Sequence, residues 1–438
     1  MDRRNYMELL SGQIRYKKAL PLITRELEAH IEEQKTDFMA QGMTEREAEE
    51  MAVREMGDPV EVGVMMDRVH RPKMNWRLII GIGLISLFGV GLLYALDTGI
   101  SQKDMPFLYA ASHLLYMTVG YVVMIGVCYL DYTWIAHRAK WLLAAYMILL
   151  FMGNVLFGTT VNGAAGFLNL FGMTVNGNRL TLLLVPLYCA ILYSYCGQGY
   201  QGLIKGMLWM VPVAAAQLMF RTAEFVILIP VWIVILSVAV YKGYFRVQVK
   251  RTLAVIWGVA LSLSGAGIFM ILKAGSQYQA ARLKIMLAPS RYAAEEGYQF
   301  HALKKLLEGS RIIGKGADFS EYSGTLPDNS SFALSYVMAY FGVLAAVCVI
   351  SVIVILLLKM TAMTFRQKNH LGLLMGAGCG AAVAVQAAWY ILTNMGIVFI
   401  GPVYCPFITN GGCSMVVTYI LFGIMLSIYR YQNVAEIA

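Results

Sequence analysis

The chain is short of charge, of histidine and of paired cysteines, and each shortage removes a class of function. Only 14% of its 438 residues are charged while 58% are hydrophobic, and the mean hydropathy is +0.61. A soluble chain of this length carries far more charge, so the composition fits a polytopic helical membrane protein. Its six histidines are scattered. The seven cysteines (Cys128, Cys189, Cys196, Cys348, Cys379, Cys405 and Cys413) lie mostly in apolar runs and never in a CxxC or Cys/His spacing. These residues offer no metal site. The cysteines read as buried thiols, with Cys405 and Cys413 leaving a disulfide open on the outer side.

Acidic residues are concentrated at the start. Residues 1–77 hold 15 of the 26 Asp and Glu and 13 of the 35 Lys and Arg, so the other 361 residues hold 11 acids against 22 bases. The formal net charge of +9 therefore belongs to the membrane part and not to a nucleic-acid surface. The opening MDRRNYMELLSGQIRYKK lacks the apolar core of a signal peptide, and no cleaved leader is expected.

The expected fold is all-α: ten transmembrane helices preceded by a small cytoplasmic helical domain. Residues 1–72 repeat apolar positions at helical spacing, with Gly42 closing one helix and Thr44 and Glu47 forming a capping box for the next. Asp58 caps a further helix with Pro59 in its first turn. A solvated bundle and a regulatory module fit this segment equally well. After a juxtamembrane linker at 73–77, the membrane domain takes in 78–432. Its ten apolar runs fall near 78–96, 106–130, 139–157, 179–195, 201–219, 222–241, 251–273, 331–358, 371–397 and 412–432. Basic residues at 137–140, Lys205, 242–251, Lys359, 366–370 and Arg430 fall on one side, which places both termini in the cytoplasm. The opposite side receives DTGISQKDMP, the uncharged GTTVNGAAGFLNLFGMTVNGN, a short FRTAE turn, a long loop at 274–330 and the turn GPVYCPFITNGGCS. Long loops escape the positive-inside rule, so the eight basic residues between Lys273 and Ser331 do not argue against this orientation.

Beyond residue 77 only Glu224 sits at the edge of a run, and six acids lie in the long loop: Glu295, Glu296, Glu308, Asp318, Glu321 and Asp328. Proton transfer by a carboxylate must draw on this set. Glu295 and Glu296 precede Gly297-Tyr298-Gln299, which opens an amphipathic segment with Phe300, Leu303, Leu306 and Leu307 on one face and Lys304, Lys305 and Glu308 on or near the other. It reads as an interfacial helix with its lysines near phosphates, or as a plain surface helix covering the spans beneath.

The first 72 residues, down to EEMAVREMGDPVEVGVMMDRVHRPK, resemble the HAAS-like or permease-prefix domain. In that setting it is a cytoplasmic interaction or sensing element. The rest resembles the SEDS family, whose members include FtsW, RodA and SpoVE. Arg282, Pro289, Gly297-Tyr298-Gln299, Gly314-Lys315-Gly316, Leu326-Pro327, Asn394, Gly396, Pro406-Phe407 and Gly411-Gly412 occur in the family's order. The resemblance implies a bacterial inner-membrane glycosyltransferase that polymerises lipid II beside a transpeptidase partner. In that chemistry a base activates the acceptor 4-hydroxyl, while cations or a divalent metal ion steady the departing diphosphate. Glu295 and Glu296 are the candidate catalytic residues, and Arg282, Tyr298, Gln299, Lys304 and Lys305 the candidate substrate-binding ones. Arg282 and the two lysines equally fit interfacial anchors.

The chain also departs from the family pattern. Polymerising members carry an Asp three residues after the loop proline, where this chain has Tyr292. Tyr is a poor base at neutral pH. Asn162-Gly163-Ala164 is kept after the third run, but the family's Arg-Trp pair and the acid of its QPSE element are not. The acids expected after Leu326-Pro327 and in the next span are replaced by SSFALSYVMAYFG. Three readings follow: a protein with lost or altered polymerase activity that binds a polyprenyl-linked precursor or a partner; an active polymerase with Glu295 or Glu296 as substitute base; and a lipid or solute transporter. The last would ordinarily show charged or broken helices at the midplane.

Overall fold

The computed structural model describes the chain except residues 1, 101–105, 162–163, 171–172, 221, 275–279, 281–282, 287, 293–296, 317–330, 368, 399–403 and 433–438. Four helices come first: α1 (Arg3–Gln13), α2 (Leu20–Ala40), α3 (Glu45–Glu55) and α4 (Pro59–His70). They close around their own apolar cluster, with Tyr6, Leu10, Ile23 and Ile31 at its centre. The expected caps are present. Glu47 accepts from the Thr44 amide and hydroxyl, and Asp58 accepts from the Val60 and Glu61 amides, satisfying donors that a helix start leaves free. This unit is joined to the rest through Tyr16, whose ring lies 6.1 Å from that of Tyr431. Burial there pushes the Tyr16 hydroxyl up to about 12, with Tyr431 and Asp131 adding to the shift.

The remaining elements are nearly all helical: α5 (Trp76–Ile100), α6 (Pro106–Tyr129), α7 (Tyr132–His137), α8 (Ala139–Phe157), α9 (Leu184–Tyr193), α10 (Tyr200–Leu208), α11 (Met210–Phe220), α12 (Thr222–Tyr241), α13 (Val249–Ala274), α14 (Tyr298–Glu308), α15 (Ala333–Phe341), α16 (Val343–Phe365), α17 (His370–Asn394) and α18 (Gly412–Arg430). Among the described residues, seven of these helices are long and apolar enough to cross a membrane. Two of the seven form the centre. The apolar windows of α17 and α18 are 78% and 72% buried, against 6% for α13 and 11% for α8. Small residues allow this. A Cβ at Gly376 would lie 2.5 Å from the Thr364 methyl of α16, and one at Gly378 would lie 2.5 Å from the Cys189 sulfur of α9. Lipid supplies no hydrophobic drive between spans, so close backbone approach and van der Waals contact must hold them. On its other flank α18 packs along α6, where Tyr419 occupies the space over Gly120 and its hydroxyl bonds to Ser86 of α5.

Two runs in the middle of the chain form shorter helices than expected. The run at 179–195 begins as a 3-10 turn (Gly177–Leu183) before α9, and the run at 201–219 divides into α10 and α11. Pro186 and Pro212 sit in the first turn of α9 and α11, where a proline ring excludes the carbonyl four residues back from an α-helical turn. The run at 222–241 forms α12 at its full expected length, with Pro230 within it. The uncharged loop after α8 is a three-stranded antiparallel sheet, β1 (Gly158–Val161), β2 (Ala164–Leu170) and β3 (Met173–Asn176), in that order. Val161 pairs with Ala164 and Leu170 with Met173. The sequence signal was the Asn162-Gly163 dipeptide, a strong hairpin marker, which an all-α expectation passes over. All seven cysteines are free, so Cys405 and Cys413 form no disulfide.

The eighth run, expected at 331–358, is broken at Gly342 into α15 and α16. Gly342 has φ +103°, and a Cβ there would lie 2.6 Å from the Ile312 carbonyl oxygen. That carbonyl accepts from the Leu344 amide, Arg311 O accepts from Val343, and the Gly314 and Gly316 amides donate to Phe341 O and Ala339 O. The GKG segment thus runs as a ribbon along the break and pairs its backbone. Gly342→Ala, which adds strain of about 1–3 kcal/mol to a steric clash, is expected to lower the thermal midpoint of the detergent-solubilised protein by several degrees. Gly258→Ala, in open space on α13, leaves that midpoint unchanged.

Candidate functional site

The C-terminal end of α17, the start of α18 and the elements between them lie at the end of the bundle opposite the α17 start. One side chain ties this end together. Asn394 Oδ1 accepts from the Ser335 amide at 3.1 Å, while its Nδ2 donates to Ser331 O at 3.2 Å and to Tyr390 O at 3.1 Å. The Ser335 hydroxyl lies 2.8 Å from Asn394 O and 2.9 Å from its Oδ1, and Tyr390 OH accepts from the Leu334 amide. These groups are buried, so the bonds take up donors that the α15 start would otherwise leave free in a low-dielectric interior.

The amphipathic segment is α14, and its inward face is as expected: Phe300, Leu303 and Leu306 are buried, Tyr298 and Gln299 exposed. It packs on α15 and on the short 3-10 turn Pro289–Tyr292. The two lysines differ in circumstance. Lys305 pairs with Glu308 at 3.3 Å. Lys304 lies 5.2 Å over the Phe300 ring, and its stem covers Gly396, where a Cβ would come within 3.5 Å of Lys304 Cγ. Gly396 and Lys304, far apart in sequence, therefore meet. Gly297 is equally constrained: its amide donates to Tyr292 O at 3.1 Å, and a Cβ there would come within 2.7 Å of the same oxygen. The bond ties the start of α14 to the half-buried Tyr292.

The Pro/Gly-rich turn packs against α5 and α6. Asn410 Nδ2 donates to Ser112 Oγ at 3.1 Å, and Thr409 Oγ1 bonds both backbone groups of Cys405. Phe407 is left-handed at φ +73°, with its ring stacked on Phe422 of α18 at 5.9 Å. Backbone strain of this kind persists only where surrounding contacts over-determine it.

Of the sequence-derived site residues, Tyr298, Gln299, Lys304 and Lys305 share α14. Arg282, Glu295 and Glu296 lie outside the described residues, as do Asp318, Glu321 and Asp328. Sequence reasoning did not assign Ser335 or Tyr390, although Asn394 was marked; a Ser after the loop and a Tyr four residues before the Asn are too common to signal a bond across 59 residues. Among the described residues, no group of three or more His, Cys, Asp or Glu gathers to hold a metal ion, and the spans bury no charged side chain. Asn394→Ala strands a buried donor and two carbonyls, at about 1–3 kcal/mol for each unsatisfied group. It is expected to lower the melting midpoint and speed hydrogen exchange at the α15 amides, with Asn394→Asp intermediate because it keeps the acceptor.

Comparison with known proteins gives a consistent result. The sequence profile of the FtsW/RodA/SpoVE cell cycle protein family matches residues 75–434. A probable peptidoglycan glycosyltransferase FtsW of Bacillus subtilis is 23% identical over 375 residues, covering 82% of this chain and 90% of the relative. One from Thioalkalivibrio sulfidiphilus is 25% identical over 384 residues, covering 82% and 91%. Among solved structures, a chain of a peptidoglycan synthase complex superposes with TM-score 0.66 at 18% identity, covering 82% of this chain and 98% of that one. The rod shape determining protein RodA of Thermus thermophilus superposes with TM-score 0.57 at 16% identity, covering 82% and 97%. The match takes in the whole membrane part described above, and this multi-pass all-α membrane protein belongs to the FtsW/RodA/SpoVE family.

Proposed function

We propose that the protein is a peptidoglycan glycosyltransferase of cell-wall synthesis that takes lipid II at the bundle end carrying α14, with Glu295 or Glu296 as its base. The observation that carries this reading is α14, which sets Lys304 against the family landmark Gly396 while Lys305 pairs with Glu308; in sequence, Glu295 and Glu296 stand three and four residues after Tyr292, the position where the family pattern wants its carboxylate. The naming of the curated relatives as probable peptidoglycan glycosyltransferases supports retained activity.

In this mechanism the glutamate removes the proton from the acceptor sugar's 4-hydroxyl. The oxygen attacks C1 of the donor, the C1–O bond to undecaprenyl diphosphate breaks, and the diphosphate leaves with the electron pair. Lys304 is the better placed of the two α14 cations to meet the diphosphate, because Lys305 is paired with Glu308. Arg282 would add a second charge. The described residues do not gather ligands for a divalent cation. A membrane partner with crosslinking activity fits the synthase complex to which the fold is similar. In this reading both termini lie in the cytoplasm, where α1–α4 act as a prefix domain that receives or reports a signal through Tyr16 and Tyr431.

A second reading is favoured by Tyr292 itself. The protein would then bind lipid II or a partner without polymerising. The transporter reading has no observation behind it, since the described spans lack a buried charge. Purified protein incubated with labelled lipid II and a crosslinking partner tests the choice. The expected outcome is glycan polymer that falls by about 100-fold or more in Glu295→Gln/Glu296→Gln. Wild-type protein that binds lipid II yet makes no polymer would establish the second reading.

A further inference from the structure

The opposite end of the bundle, where the chain enters at α5 and leaves at α18, holds an open cavity of about 570 Å³, of mixed polar and apolar lining, bounded by Asn75, Lys359, Met363, Arg366, Tyr429 and Gln432. That volume lies within the range of small-molecule sites, roughly 300–1,000 Å³. Three helix termini make it: the start of α5, the end of α16 and the end of α18. The ends of α16 and α18 are held together by Gln367 Nε2 donating to Gln432 Oε1 at 3.3 Å, and Asn75 reaches the Met363 sulfur at 3.9 Å.

Lys359 on α16 and Arg366, the residue that caps its C-terminal end, are seven residues apart, two helical turns, and both are exposed. Neither has an acidic partner among the described residues, since the ion pairs found there lie in α1–α3 and α14. The nearby Arg430 is differently occupied, with its guanidinium 4.2 Å over the Tyr129 ring. The two cations continue an apolar stripe: Leu344, Ile355 and Leu358 are exposed on the same helix, with Phe365 beside Arg366 and Trp76 beside Asn75. A helix face that is apolar along its length and cationic at its end, flanked by aromatic residues, is built for the boundary between acyl chains and headgroups.

We propose that this cavity binds the headgroup phosphate of an anionic glycerophospholipid, with Lys359 and Arg366 on the phosphate and the acyl chains along α16. Tyr429, Asn75 and Gln432 supply neutral hydrogen-bonding groups for the glycerol hydroxyls. The site is distinct from the outer face, so it stands whichever reading of the catalytic chemistry holds. An acidic soluble partner would have no use for the apolar stripe that leads into the cavity.

The test is native mass spectrometry of the full-length protein in detergent, titrated with phosphatidylglycerol, phosphatidylcholine or inorganic phosphate. Wild type is expected to retain one phosphatidylglycerol about tenfold more strongly than phosphatidylcholine. Lys359→Gln/Arg366→Gln is expected to abolish that preference, while Lys359→Arg/Arg366→Lys keeps it. Lys250→Gln/Arg251→Gln, two exposed cations at the start of α13, also keeps it. Equal retention of the two lipids by wild type would overturn the proposal. So would a preference that survives the Gln pair, or an equal loss in the α13 control. Displacement of phosphatidylglycerol by equimolar inorganic phosphate would identify a soluble phosphate ligand and likewise reject the lipid site.

Discussion

The close approach of α17 and α18 to their neighbours is the constraint on which the rest depends. Both faces of these spans are apolar, so burial in protein rather than lipid gains little from hydrophobicity. Contact distance decides instead. Gly376 and Gly378 admit α16 and α9 against α17, and Gly120 of α6 admits Tyr419 of α18. With these two helices central, their ends lie at both ends of the bundle: Asn394 and Gly412 at the end that carries α14, Tyr429 and Gln432 beside the cavity at the other.

At the outer end, structural roles account for several family landmarks. Gly314 and Gly316 belong to a ribbon hydrogen-bonded along the Gly342 break, Asn394 holds the start of α15, and Gly297 permits the close return to Tyr292. Landmarks of this kind persist when chemistry changes, because a packed backbone has few alternatives. They mark membership of the family without fixing its chemistry.

Much of this was legible in the sequence. The capping residues Thr44, Glu47 and Asp58 act as local hydrogen bonding dictates, and the inward face of α14 follows from its spacing of Phe300, Leu303 and Leu306. The small sheet after α8 was missed because its Asn-Gly signal sits in a short apolar stretch where helix and strand patterns look alike. The break at Gly342 was missed because hydropathy is continuous across it. Only the ribbon at 311–316, about thirty residues earlier, makes the turn there favourable.

By itself the sequence determined the membrane class, the apolar runs, the helix caps and the family, since these rest on composition, local spacing and the order of landmarks. Tertiary structure alone decided which spans are central, where the eighth run divides, that Lys305 is paired while Lys304 lies over Phe300, and that Lys359 and Arg366 share a cavity. The physical reason is that lipid tails and packed side chains are equally apolar surroundings. Hydropathy therefore identifies a span but cannot say which of its faces meets protein, and contacts between distant residues follow from that choice.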